Sequence, residues 1–496
     1  MTKFFWADQI ADRIIKEKGK KKVYVCAAGT GLSGIVHIGN FRDVITTELV
    51  ARALEDKGKK ARFIYSWDDY DRFRKIPKGI SKEYKKYLGM SVSEIPSPFG
   101  KGKTYARYFE KKFEDSLEKV GVEPEFIQQS VMYKKCKYAS LIKLAIEKRK
   151  EIMKILNKYR KEPLNKNWMP LTVYCEKCKK DFTKIINTKD YLIEYECKCG
   201  YKNKIDYRKK GIVKLLWRID WPMRWKYEDV DFEPGGADLN AAGGSWMTGK
   251  EIVKKVFDYE GPLGQMYEWI KIKGGKAFSG SAGNVLTLDE LEEVYEPEVL
   301  RYIFVGTRPN KGFQISFDND IIKIYEDYDT LERKYYKGKA NTQEKRIYEL
   351  SQLNKPLKKK PGKKGFRHLI TFVQLKKEKE LNRESRKRAE KVANWIKKYA
   401  KEDMKFQVKE KTSAKLNKKE KQAMNELKKS LIAKNYTEEE LFNEFYNICK
   451  KIKIKNTDFF DATYRVIIGK NKGPRLASLI LIAGKQNIIK LLEQIK

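Results

Sequence analysis

His37 is one of two histidines in a chain of 496 residues, and it sits where an imidazole can meet an anion. It follows the turn Gly29-Thr30-Gly31-Leu32-Ser33-Gly34 and opens the tetrad His37-Ile38-Gly39-Asn40. A glycine-rich turn running into a helix N-terminus offers unpaired N–H groups and the positive end of a helix dipole to phosphate. A neutral imidazole donates one hydrogen bond there, and a protonated one adds charge. The stretch is neither GxxxxGK[ST] nor GxGxxG; taken alone, it serves equally well as a tight corner. A second group, Lys276, Ser279, Ser281, Gly283 and Asn284, lies in the small-residue loop Gly274 to Asn284. Such a loop can close over a triphosphate.

Two further constellations carry chemistry. Trp217, Asp220, Trp221 and Trp225 precede Glu228, Asp229, Asp231 and Glu233, with Pro234-Gly235-Gly236, Asp238, Gly243-Gly244 and Tyr267 following. Indoles beside carboxylates fit a cationic, partly aliphatic ligand through cation–π contact and an ion pair. The alternative is an indole core beside a solvated acidic turn. Cys175-x-x-Cys178 and Cys197-x-Cys199-Gly200 supply four thiolates, the tetrahedral set of a structural Zn²⁺, with a small hairpin between the pairs. Four protein ligands leave no open position for catalysis. Cys26, Cys136 and Cys449 read as core residues.

The elements that must position these residues follow from local pattern. Val23 to Ala28 is a short apolar β-former run, and a helix begins near Asn40 with Val44, Ile45, Leu49, Ala53 and Leu54 on its packing side. Ala61 to Trp67 is a second strand, ending in Asp68-Asp69. Strand, helix, strand opens an α/β domain whose ligands sit at the carboxyl ends of its strands. Arg72 to Pro98 is mostly loop, with a helical turn near Lys82 to Leu88. Helices are expected over Tyr105–Val120 and Lys137–Tyr159, inside an insertion that rejoins the sheet near Lys214 to Leu216. Met266 to Lys271 is a further strand, and Thr287 with Glu290 forms a capping box. Beyond about 295 the pattern is helical: Pro297–Phe304, Phe317–Thr330, Lys415–Ile432, Thr437–Cys449, Phe459–Ile468 and Pro474–Leu492, with Lys355–Lys364 a basic linker.

The formal charge is +41, from 108 Lys and Arg against 67 Asp and Glu. An excess of this size favours a polyanion, nucleic acid first, although a thermophile-like lysine bias also raises it. Seven cysteines in so long a chain do not make a disulfide scaffold. No secretory leader or long apolar run is visible, so a soluble, cytoplasmic monomer with no membrane association and no obligate protein partner is expected.

GIVHIGN (34–40) and, far downstream, FSGSAGN (278–284) together resemble the two signatures of class I aminoacyl-tRNA synthetases. Within that class the chain resembles the archaeal-type class I lysyl-tRNA synthetases over essentially its whole length. The likeness rests on GTGLSGIVHIGNFRD, YSWDDYDRFRKIP, LLWRIDWPMRW, FEPGGADL, GGSW, QMYEWI and KAFSGSAGN. It implies a Rossmann-like parallel sheet interrupted by a zinc-bearing insertion and followed by an all-helical anticodon-binding region. The implied divisions are 1–72 and 212–295 for the two catalytic halves, 73–211 for the insertion with acceptor-end contacts, 296–354 for a stem-contact junction and 355–496 for the anticodon domain.

The HIGH-type signature falls on His37 to Asn40, which implies that His37 and Asn40 contact ATP phosphate and ribose. The KMSKS-type signature falls on Ala277 to Ser281 without either of its lysines, leaving Lys276, Ser279 and Ser281 as the candidate loop contacts. Leu239 stands where many members carry a histidine, so Asp238 and the neighbouring glycines take over that position. A lysine pocket of Gly29, Trp217, Asp220 and Tyr267 is implied, with Thr30, Gly34, Gly39, Asp68, Gly244, Gly283 and Asn284 as further ligand contacts. The substrates implied are L-lysine, ATP with Mg²⁺, and tRNA(Lys). Two other readings stay open on sequence alone: a glutamyl- or glutaminyl-type synthetase of the same class, and a non-catalytic zinc-containing RNA-binding protein.

Overall fold

A computed structural model describes residues 5–32, 34–100, 103–273 and 285–495. The chain divides into two compact units. The first comprises 1–292, 297–315 and 340–356; the second comprises 293–296, 316–339 and 357–496.

The first unit is built on a five-stranded parallel sheet. Its strands are β1 (Tyr24–Gly31), β2 (Ala61–Asp68), β3 (Glu125–Gln128), β4 (Phe232–Gly236) and β5 (Leu263–Tyr267), in the order β5-β4-β1-β2-β3. Helix α1 (Trp6–Lys18) packs on α2 (Ile38–Asp56), which crosses between β1 and β2. The strand order reverses between β1 and β4, and in an open parallel sheet this is where a crevice forms at the carboxyl ends. β1 and β2 are in full register, with Gly29 opposite Ser66 and Gly31 opposite Asp68. The glycine turn and the Asp68 carboxylate therefore emerge side by side.

The expected rejoining of the sheet near Lys214 to Leu216 does not occur. Val213–Leu215 pairs antiparallel with Leu171–Val173 instead, and Trp217–Tyr227 is a helix, α3, with Pro222 inside it. The run IVKLLWRIDWPMRW is apolar apart from Lys214, Arg218, Asp220 and Arg224, and its short apolar stretches do not distinguish strand from helix by periodicity. The helix expected over Lys137–Tyr159 is two helices, Ala139–Glu147 and Arg149–Asn157, because Lys148 leaves helical geometry at ψ 16°. The strand expected over Met266–Lys271 also divides. β5 ends at Tyr267, and Ile270–Ile272 pairs with Phe313–Ile315 in a separate ribbon. Helix α4 (Ser245–Phe257) packs against α3.

Between β3 and α3 lies a three-stranded antiparallel sheet, Thr183–Lys189, Leu192–Cys197 and Lys202–Asp206, which carries the second cysteine pair. The second unit is mostly helical. Phe459, Leu427, Phe445 and Leu479 stand in its apolar core, formed by Lys418–Ala433, Glu438–Ile452, Asn456–Ile468 and the last two helices. Those last two, Leu476–Ala483 and Lys485–Glu493, replace the single helix expected over Pro474–Leu492. Gly484, with φ at 89°, breaks the run where a glycine alone is unstrained. Helix Arg383–Lys398 was not anticipated from sequence; its Arg388 is wholly buried between Glu296 and Asp329.

Candidate active site

A cavity of about 880 Å³ opens at the carboxyl ends of β1 and β4. One side is the glycine turn, contributing Gly29, Thr30, Gly34, His37, Gly39 and Asn40. Asp68, Trp217, Asp238 and Tyr267 complete its lining around that turn.

His37 is the N-cap of α2. Its Nδ1 accepts the Gly39 N–H at 3.0 Å, and the Asn40 Oδ1 accepts the His37 N–H at 3.0 Å, a reciprocal cap. Asn40 Nδ2 donates to Thr30 Oγ1 at 2.7 Å, tying the helix start to the end of β1. Accepting at Nδ1 places the proton of the neutral ring on Nε2. Burial pushes the His37 pKa below 6.5, so the ring is neutral at pH 7.

Gly29 is required by close approach. A Cβ there would stand 2.8 Å from the Ser66 carbonyl oxygen of β2. Its N–H donates to Asp43 Oδ2 at 3.2 Å. Asp43 is buried on α2 and also bonds the Tyr267 side chain. Burial, then the nearby Glu233 carboxylate, raises the Asp43 pKa well above the usual range. Arg42, its neighbour, donates from Nη2 to the carbonyls of Arg308, Pro309 and Lys311 at 3.0, 2.8 and 2.8 Å, anchoring α2 beside the cavity.

On the opposite wall, Glu233 of β4 accepts both flanking indoles. Trp221 Nε1 reaches Oε1 at 2.9 Å and Trp225 Nε1 reaches Oε2 at 2.5 Å. Burial pushes the Glu233 carboxyl up to about 7 despite those two donors. Asp68 is paired differently, with Arg224 Nη1 at 2.7 Å and Trp217 Nε1 at 3.2 Å. Trp217 stacks on Trp221 with ring centroids 5.4 Å apart.

Two of the residues expected to touch ligand stand elsewhere. Asp220 lies behind the wall, with Lys214 Nζ at 3.0 Å, Arg224 Nε at 3.3 Å and the Tyr133 hydroxyl on its carboxylate. Burial opposes its ionisation, but Lys214 and Arg224 outweigh burial and hold its pKa below the usual value. It fixes Arg224, which in turn holds Asp68. Gly244 caps α4, and a Cβ on it would be 2.4 Å from the Leu239 carbonyl oxygen. That glycine serves packing and does not line the cavity. Lys276, Ser279, Ser281, Gly283 and Asn284 lie outside the described residues.

Residues 4–354 match the family model described as tRNA synthetases class I (K), and residues 366–496 match an anticodon binding domain. Curated relatives cover the chain almost end to end. A lysine–tRNA ligase of Borreliella burgdorferi is 45% identical over 97% of each chain. One of Pyrococcus horikoshii is 42% identical over 98% of this chain and 99% of its own. The chain belongs to the class I lysyl-tRNA synthetases.

The cysteine cluster of this synthetase fits a metal. All four sulfurs of Cys175, Cys178, Cys197 and Cys199 lie within 4.8 Å of one another, with Cys175–Cys199 at 3.7 Å and Cys178–Cys197 at 3.6 Å. A zinc tetrathiolate with Zn–S of ~2.3 Å has sulfur–sulfur edges of about 3.8 Å. The turns are shaped for it. Lys179 takes φ 61° and Gly200 φ 84°, and the Lys180 and Tyr201 N–H groups point at the Cys178 and Cys199 sulfurs.

Sequence reasoning overlooked Arg42 and Asp43, and it placed Glu233 only in a general acidic cluster. The signal for Asp43 was present: a carboxylate on a helix whose neighbours Val44 and Ile45 are wholly apolar is costly to bury without a purpose. Arg72, Arg74 and Lys75, on the loop after β2, also line the cavity and give its rim positive charge.

Proposed function

We propose that this cavity is where lysine and ATP meet in the first of two steps. The chain is a lysine–tRNA ligase, attaching L-lysine to tRNA(Lys) in an ATP-dependent reaction. The lysine carboxylate attacks the α-phosphorus of ATP, giving lysyl-adenylate and pyrophosphate. A terminal ribose hydroxyl of the tRNA then attacks the activated carbonyl, and AMP leaves.

Little covalent protein chemistry is needed; positioning and stabilisation of developing charge do the work. The His37 imidazole, the N–H groups of the glycine turn and Asn40 hold the ATP phosphates and ribose. Lys276, Ser279 and Ser281 of the signature loop, with Gly283 and Asn284, act on the triphosphate. Trp217 and Tyr267 flank the aliphatic chain of lysine, and Asp68 and Asp238 line the same space. Mg²⁺ accompanies ATP. Cys175, Cys178, Cys197 and Cys199 hold a structural Zn²⁺, which when bound crosslinks the two turns of the insertion.

The insertion serves the acceptor end and the helical second unit serves the anticodon, in the cytoplasm. Among the described residues no helix is long and apolar enough to cross a membrane. The observation that carries the site assignment is one cavity joining an anion-binding turn to a wall of indoles and carboxylates. Amino-acid-dependent ATP–pyrophosphate exchange, run with each of the twenty amino acids on wild type, His37→Ala and Trp217→Ala, tests it. Lysine-dependent exchange that both substitutions leave intact would move the active site out of this cavity.

A further inference from the structure

Of the carboxylates that line the cavity three are buried, Asp43, Asp68 and Glu233, and one of these three has an ion pair among the described residues. Asp68 is neutralised by Arg224 at 2.7 Å. Asp43 and Glu233 have no ion pair among the described residues; their partners are neutral donors, the Gly29 N–H and Tyr267 for one and two indoles for the other. Both are more than nine-tenths buried, at 7% exposure each. Both line the same cavity, and the charge on Glu233 adds to burial in raising the Asp43 pKa. Two buried carboxylates in mutual repulsion are unfavourable unless they protonate or a ligand brings positive charge. Stacked Trp217 and Trp221 and the Tyr267 ring border the same space, where methylene groups of a ligand find apolar contact.

We infer that Asp43 and Glu233 form a two-carboxylate seat for the side-chain ammonium of lysine and set the preference for lysine over uncharged amino acids of similar length. The inference rests on the reading that this cavity holds lysine and ATP. With neutral donors and no ion pair among the described residues, burial favours the protonated form of the pair until a cationic substrate arrives. The donors also fix the carboxylates in place, so the ammonium meets preorganised acceptors. A primary ammonium has three donors, enough in number to serve two carboxylates. A glutamate or glutamine side chain brings acceptors to the same place and meets repulsion or an unpaired polar group.

The test compares lysine with 2-aminohexanoic acid, which keeps the chain length and lacks the ammonium. KM for lysine in ATP–pyrophosphate exchange and Ki for 2-aminohexanoic acid are measured on the full-length wild type, Asp43→Asn and Glu233→Gln. Asparagine at 43 still accepts the Gly29 N–H. Glutamine at 233 leaves one indole facing an amide N–H, so Asp43→Asn is the cleaner probe. Losing a partner of a buried charge should raise the lysine KM by roughly 30-fold or more in each variant, with the Ki of 2-aminohexanoic acid changed less than threefold. An unchanged Ki also shows that the pocket is folded.

A second measurement needs no variant. With Glu233 near pH 7 in the free enzyme, and Asp43, Asp68, Arg224 and Tyr267 the titratable groups around it, the lysine KM should fall as pH rises from 5.5 to 7.5. The Ki of 2-aminohexanoic acid should not follow it. A lysine-to-analogue ratio that is the same in all three proteins, or flat with pH in the wild type, overturns the seat. Failure of the cavity reading looks different, since 2-aminohexanoic acid would then not compete with lysine in any of them.

Discussion

Replacing His37 separates two roles that the structure superimposes on one ring. The imidazole Nδ1 caps α2 by accepting the Gly39 N–H at 3.0 Å, and the ring also lines the cavity where ATP phosphate is placed. Loss of an N-cap costs about 1 kcal/mol. Even if all of that were expressed in the transition state, it would slow the reaction roughly fivefold, since ~1.4 kcal/mol corresponds to tenfold. Removing a donor aimed at developing charge costs about 10²- to 10³-fold. His37→Ala should therefore lower lysine-dependent ATP–pyrophosphate exchange by about 10²-fold or more. His37→Asn decides the cause, because asparagine caps as well as any residue but ends nearer the backbone. It should keep the thermal midpoint of the wild type while losing exchange nearly as far as the alanine variant. Exchange within about fivefold of wild type in His37→Asn would mean that the cap is the whole role of the residue. The cap has its own pH signature. Because burial lowers the folded pKa of His37 below 6.5, its contribution to stability is present above 6.5 and is lost as pH falls through the lower folded value.

Other parts of the molecule answer to simpler perturbations. Chelation of the metal should release one equivalent of zinc and make the segment between Cys175 and Asp206 selectively cleavable by trypsin; a chain that purifies without metal and resists cleavage equally would exclude the site. Arg388 is fully buried against Glu296 at 2.6 Å and Asp329 at 2.9 Å, so Arg388→Ala should destabilise the second unit by about 3–5 kcal/mol in a denaturant titration, and a loss under 1 kcal/mol would show the network to be dispensable. Gly244→Ala forces a Cβ to within 2.4 Å of the Leu239 carbonyl, so it should cost about 1–3 kcal/mol of stability without a selective rise in the KM for lysine or ATP; the reverse pattern would return Gly244 to the binding site. With a formal charge of +41, tRNA affinity should fall log-linearly with salt, and a flat dependence would mean that the basic excess is not used on the phosphate backbone.

How much of this was legible in the sequence depends on whether a residue's environment is local. The Val23 to Ala28 strand, the glycine turn and the cysteine pairs were legible because each is defined by its own neighbours. The break at Lys148 was not, since no glycine or proline marks it. The rejoining of the sheet expected near Lys214 to Leu216 fails because a short apolar-rich run does not separate strand from helix by periodicity, and the helix begins at Trp217. The site shows the same division. His37, Asn40 and Thr30 are close in sequence and meet in space. Asp43, Glu233 and Tyr267 come from α2, β4 and β5, and only the sheet order brings them together.

The contrast between Asp220 and Glu233 shows which property separates a wall residue from a ligand residue. Both are buried carboxylates among the same tryptophans, and by composition either serves a cationic substrate. Asp220 already has Lys214 and Arg224, and their charges hold its pKa below the usual value. It has no electrostatic reason to meet a second cation. Among the described residues Glu233 has indole N–H groups on its carboxylate and no ion pair, and burial pushes it up to about 7 although the Arg224 charge works the other way. Removing Asp220 would leave Lys214 to Asp71 and Arg224 to Asp68 alone and would loosen Asp68 through Arg224, so Asp220→Asn should lower stability and weaken all ligands together. Removing Glu233 subtracts charge from a site that has an excess of it, so stability at pH 8 should fall little while the distinction between lysine and its uncharged analogue collapses. A buried carboxylate is thus assigned by the sign of the charge left over after its protein partners are counted. That count needs the fold.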